Sequence, residues 1–117
     1  MSIALHQSMP ESAYKLLSLT RPFHRWKMPP SSALRFVVCK YTPNVGELEF
    51  DGSNITLRVS QTRNGQLSSL LITVAHEMLH LRLLKMGLAN WEQHDTKAWK
   101  RGVNLICSAH GWDSKCF

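Results

Sequence analysis

Leu67, Leu70, Leu71, Val74, Met78 and Leu81 recur at intervals of three and four residues, the spacing that lines one face of an α-helix. Ser68 stands where a cap would open this helix, and Gly87 where a left-handed residue would close it. The pattern predicts about five turns between them. It is the strongest element in the chain, and its apolar flanks read as a core helix. A chain of 117 residues has room for one compact domain and not for two ordinary ones. A single domain over residues 1–117 is therefore expected to form around this helix.

The segments before it predict a helix and a small sheet. Ser8 followed by Pro10 is a plausible helix start, with Ala13, Leu16 and Leu17 as an apolar stripe. Pro22 disfavours helical geometry in Arg21, so the helix should stop near Thr20. The proline-rich connector RPFHRWKMPPSS is expected to continue neither regular structure, with Phe23 and Trp26 closing an edge of the core. Residues 34–41 (LRFVVCKY), 46–50 (GELEF) and 55–59 (ITLRV) have strand composition, and Asp51-Gly52 marks a tight turn between the last two. Together they predict a three-stranded antiparallel sheet. Residues 61–66 (QTRNGQ) read as loop. A last helix is expected from His94 or Asp95 to about Cys107, carrying Ala98, Val103, Leu105 and Ile106, with an irregular tail SAHGWDSKCF.

Composition narrows the class. Apolar residues make up 44% and charged residues 19%, as in soluble globular proteins. The longest apolar run, LLITVA, is far short of the roughly 20 residues that span a bilayer, and the first residues do not resemble a secretory signal. The expectation is a cytoplasmic protein with no membrane partner. Three cysteines, Cys39, Cys107 and Cys116, fit a reducing compartment better than a disulfide framework, with Cys39 expected as a buried small hydrophobe. The net charge of +6 favours encounters with polyanions, but the two halves of the chain carry equal charge, so a nucleic-acid surface would have to be assembled by the fold. Lys97, Lys100 and Arg101, on one face of the last helix, are the candidates for such contact; like charges there more often mark a solvated face.

The chemistry lies in VAHEMLHLR. His76 and His80 are four residues apart and leave a helix on the same face, so both imidazoles can reach one ion. Glu77 leaves it about 100° from His76 and can act on a water without being a ligand. This is the arrangement for zinc-assisted hydrolysis: the ion acidifies a water and polarises a carbonyl, and the carboxylate takes up the proton as general base. Six His and five Glu among 117 residues give the pattern in roughly one shuffled chain in eighty, so its weight comes from lying within a strongly periodic helix. A catalytic zinc needs a third protein ligand. His94, Glu92 and Asp95 are in range; His94 is favoured because it stands at the mouth of the next helix after a short return loop.

The residues HEMLH at 76–80, the interval LRLLKMGLANWEQ, and HDTKAW at 94–99 resemble the SprT-like metallopeptidases, the family of the Spartan protease. GSNITLRVS and the RNG loop upstream resemble that family's approach to its active helix, so the likeness covers residues 10–107 in element order and is specific over 52–106. Trp99, five residues after His94, is also similar to the related WLM group, and no four-cysteine zinc ribbon follows within these residues. The resemblance implies an α+β, zincin-like minimal metallopeptidase: an N-terminal helix, the three-stranded sheet, the HExxH helix and a C-terminal helix. It implies Zn2+ on His76, His80 and His94, with Glu77 as general base. It further implies a protein or peptide substrate paired with an edge strand beside the cleft, for which the half-polar ITLRV segment is the candidate, and DNA-associated proteins as a substrate class. Three features stay open. Cys107, His110 and Cys116 are possible ligands of a second metal but are better read as a capped core edge. His110, Arg82 or a sheet tyrosine are the candidates to stabilise an oxyanion. Finally, the same zinc in a non-catalytic binding module for nucleic acid or protein is the alternative function, against which the retention of Glu77 speaks.

Overall fold

The computed structural model of the chain describes residues 6–40, 44–61, 64 and 66–117. Among them lie four α-helices and a three-stranded sheet: α1 (Met9–Ser18), α2 (Phe23–Trp26), β1 (Arg35–Cys39), β2 (Gly46–Phe50), β3 (Ile55–Ser60), α3 (Leu67–Lys85) and α4 (Lys97–His110). The class is α+β. The connector thus holds a short helix, α2, which seats Phe23 fully inside the core.

The sheet is mixed and not antiparallel. Its order is β1-β3-β2, with β1 parallel to β3 and β2 antiparallel to it. The side chain of Asp51 accepts from the main-chain N–H groups of Ser53 and Asn54 at 3.0 and 2.7 Å, and this turn folds β2 and β3 into a hairpin. Strand β1 joins the other side of β3. The ITLRV segment is therefore the central strand, and the edge strand beside α3 is β2. Burial agrees: Ile55, Leu57 and Val59 are buried, and so are Thr56 and Ser60 on the alternate positions. The half-polar look of β3 comes from Arg58, whose guanidinium is satisfied by Glu49 of β2 at 2.8 Å.

Helix α3 is covered around most of its circumference rather than along one stripe. Helices α1 and α4 and strands β2 and β3 all pack on it, and ten of its 19 residues are buried. Ala75, Leu79 and Leu83, outside the expected stripe, are buried, while Leu67 is exposed. By length and composition alone α3 is apolar enough to cross a membrane, but 56% of its apolar window is buried inside the molecule, as in a central core helix. Its start has no side-chain cap: the chain enters from extended backbone at Gln66, and Ser68 lies inside the first turn. Its end is as expected. Gly87 adopts φ +78°, and Leu88 N–H reaches back to Leu83 O at 3.2 Å, closing a left-handed cap.

Helix α4 begins at Lys97, two or three residues later than predicted, because the Thr96 hydroxyl caps it by accepting from Trp99 N–H at 3.1 Å. His94 and Asp95 remain in the loop. The helix also runs on to His110, past the expected end at Cys107, and a 3-10 turn, Ser114–Cys116, follows. Gly102 sits where a Cβ would collide with the buried side chain of Leu79, so α4 lies closer to α3 than any larger residue would permit. Leu105, expected inward, is exposed, and Cys39, expected buried, is half-buried beside Arg58.

Candidate metal centre

His76 and His80 project from the middle of α3, and the loop from α3 to α4 returns His94 to them. One ligand nitrogen from each imidazole lies within 4.8 Å of the others, close enough for all three to bind one metal ion. The expected third donor is thus the one brought in. Glu92 lines the same cleft but stands outside the cluster, and Asp95 does not line it. Trp99 of α4 forms the platform. It is buried, it stacks on His80 and His94 with centroids at 4.4 and 4.5 Å, and it meets His76 edge-on at 4.8 Å. The close approach at Gly102, three residues on, is what lets this indole reach beneath helix α3.

Hydrogen bonds fix which nitrogens are free. Nδ1 of His76 lies 2.8 Å from the main-chain oxygen of Phe117, and Nδ1 of His80 lies 2.8 Å from that of Trp91. These oxygens only accept, so each Nδ1 carries the hydrogen and each Nε2 presents a lone pair. Nε2 of His94 faces Nε2 of His80 at 2.9 Å. With His80 Nε2 as acceptor, that contact is a hydrogen bond from His94; a cation would replace the shared hydrogen. Burial and the neighbouring His80 imidazole push the pKa of His76 down to about 4, despite the hydrogen bond to Phe117. Burial also holds His80 below its ordinary value. Neutral imidazoles with outward lone pairs, held by acceptors behind them, are the donor set a transition metal takes.

Glu77 is 4% exposed and makes no hydrogen bond to a described residue. Burial, and then the neighbouring Glu47 carboxylate, push its pKa up to about 8. It opens on a cleft of about 520 Å³ bounded by β2, α3, the loop carrying Trp91 and the end of the tail. The cleft's width is set by close backbone approach: a Cβ on Gly46 would lie 2.6 Å from Thr73 Cγ2 and 3.4 Å from Glu77 Oε2. Asn64, fully buried, locks this arrangement. Its amide donates to Val45 O at 3.0 Å and Ser60 O at 2.7 Å, and its oxygen accepts from the Thr73 hydroxyl at 2.8 Å. One side chain thereby ties the residue leading into β2 to β3 and α3 beside the site.

Other candidates lie elsewhere. His110 bonds Thr20 at 3.1 Å and stacks on Trp112, and Arg82 covers Trp26; neither lines the cleft, so neither is placed to stabilise an oxyanion. The remaining candidate for that role, the tyrosine of the expected strand 34–41, is Tyr41, which lies outside the described residues. Among the described residues, Cys107, His110 and Cys116 do not gather into a metal-binding group. Lys97, Lys100 and Arg101 are all exposed on α4. Sequence reasoning missed Asn64, Thr73, Gly46 and Phe117. The first three carried only loop, helix and strand signals respectively, and Phe117 carried none. No model of a known protein family matches the chain, and no curated protein matches it.

Proposed function

We propose that this protein is a small zinc-dependent endopeptidase of the SprT-like kind. The observation that carries the reading is the pairing of three convergent imidazoles with a buried carboxylate that makes no hydrogen bond among the described residues, in one cleft beside an edge strand. A structural metal site has no use for such a carboxylate, whereas hydrolysis requires it. Zinc bound by His76, His80 and His94 supplies a Lewis acid and a positive charge that polarise a carbonyl, acidify water and offset the burial of Glu77.

The chain's own residues supply the rest. Strand β2, at the edge of the described sheet, offers that edge to an extended peptide, and Gly46, where a Cβ would collide with Thr73, lets the strand lie close to Glu77. Glu77 takes a proton from water as oxygen adds to the scissile carbonyl carbon, then gives it to the departing amine as the C–N bond breaks. Trp99 and the acceptors behind His76 and His80 keep the imidazoles oriented. DNA, the second partner proposed, would meet Lys97, Lys100 and Arg101 rather than the cleft, whose walls carry Glu47 and Glu92.

The test is zinc content and proteolysis, with and without single- and double-stranded DNA, for the parent and Glu77→Gln. One equivalent of zinc in both, with activity reduced by about 100-fold or more in the variant, is expected. Zinc binding with both proteins equally inert on all substrates removes the peptidase reading. His94→Ala should weaken zinc by roughly 100-fold or more, and unchanged affinity would exclude it as the third ligand.

A further inference from the structure

His80 is steadied by Trp91, from the loop that also brings His94, but His76 is steadied by a residue 41 positions along the chain. We propose that residues 111–117 are a working part of the metal centre: Phe117 positions His76, and metal binding and docking of this segment stabilise each other. The proposal rests on the ligand set of the proposed function.

The path of the segment supports it. Gly111, at φ +72°, closes α4 and turns the chain back, and Trp112 stacks on His110 at 4.6 Å with the planes 17° apart. Asp113 accepts from Lys115 N–H at 2.9 Å and from Cys116 N–H, through its main chain, at 2.9 Å; Phe117 N–H reaches Ser114 O at 3.2 Å. This self-bonded turn delivers Phe117 as a unit. Its ring lies 5.3 Å from the His76 ring and 6.2 Å from Trp99, half-buried on the core, and its main-chain oxygen reaches His76 Nδ1 at 2.8 Å. Cys116 and Phe117 also form one wall of the cleft.

An acceptor behind a ligating imidazole fixes its tautomer and ring plane and raises its basicity. Without Phe117, the His76 ring regains its rotation, and the hydrogen can move to Nε2, where it would block the lone pair. A ligand that requires the Nε2 lone pair therefore favours the docked tail, and by linkage the docked tail favours the ligand by the same factor. Simple core packing by Phe117 would add stability but no such reciprocity.

The experiment measures Zn2+ affinity by competition with a chromophoric chelator for the parent, Phe117→Leu, and the chain lacking Phe117. Alongside, long-range proton–nitrogen NMR reads the His76 tautomer, and hydrogen exchange follows the amides of residues 114–117 with and without Zn2+. Removal of Phe117 should weaken zinc about 10- to 100-fold and mix the His76 tautomers, while Phe117→Leu, which keeps the oxygen and an apolar anchor, restores most of the affinity. In the parent, zinc should slow exchange of the tail amides. Affinity within about twofold of the parent after removal, or tail exchange indifferent to zinc, overturns the proposal. If the shortened chain does not fold, tail exchange in the parent decides alone. Tight zinc binding with no tail coupling leaves the peptidase reading intact; tail coupling without any proteolysis supports the positioning role and counts against the peptidase.

Discussion

Glu77 has to be both a core side chain and a proton acceptor, and its surroundings make these roles conflict until a cation is near. In the metal-free protein its carboxyl titrates near 8 instead of 4.5. The stability tied to its neutral form is complete below the ordinary value and is lost as pH rises through about 8. His76, lowered from 6.5 to about 4, works the other way: its contribution is complete above 6.5 and is lost as pH falls through about 4. The two slopes oppose each other in the overlap, so a net loss should emerge between pH 6.5 and about 8. Urea denaturation with a chelator present should show a fall of about 2 kcal/mol across that window in the parent and a flat profile in Glu77→Gln. A flat parent would mean that Glu77 is hydrated. At this scale the sequence spacing of His76, Glu77, His80 and His94 was legible, because three of them obey the helix repeat and the fourth follows a short loop. Asn64 and Phe117 were not, because the partners that matter, Val45 and Thr73 for Asn64 and His76 for Phe117, lie 19, nine and 41 residues away and no local pattern marks such contacts.

Helix α4 joins the core through a glycine, and here helix propensity and packing make opposite predictions. In an exposed helix, Gly102→Ala would stabilise by roughly 1 kcal/mol. Against Leu79, 1% exposed, the added methyl has nowhere to go, so the substitution should instead destabilise by about 1–3 kcal/mol. It should also lower zinc affinity, because α4 carries the Trp99 platform; thermal melts and chelator competition check both. The outer face of the same helix is a separate matter. Replacing Lys97, Lys100 and Arg101 together with alanine should weaken binding to duplex DNA and flatten its dependence on salt by about two to three units of log–log slope, without changing cleavage of a DNA-free peptide. Unaltered DNA binding would move that partner off α4. Most elements were readable from periodicity and composition, the short α2 in the connector excepted. Their pairing was not: β1 has the same strand character whether it runs parallel or antiparallel to β3, and only the course of the chain between strands decides.

For the whole molecule, the proposed metal joins α3 to the loop ahead of α4, so it should act as a brace. Zinc at about 100 times its dissociation constant should stabilise the fold by about 2.7 kcal/mol, raising the melting temperature by about 10 °C or more. His80→Ala should abolish that response. Equal melting temperatures with zinc and with chelator would count against a shared site. The α+β class and a helix built around the metal motif were legible in the sequence; the enclosure of α3 on most sides was not, since its apolar residues fit a one-sided stripe equally well until Ala75, Leu79 and Leu83 are seen buried. The three ligands also differ in how firmly they are held. His80 is buried and His76 half-buried on the central helix, but His94 is exposed on a loop. An ion held by this trio would arrive and leave by way of His94, with the other two imidazoles retaining it in between. Its residence time would then be governed by the mobility of residues 88–96, so that loop substitutions could change how fast the protein trades metal with its surroundings while leaving the helix untouched.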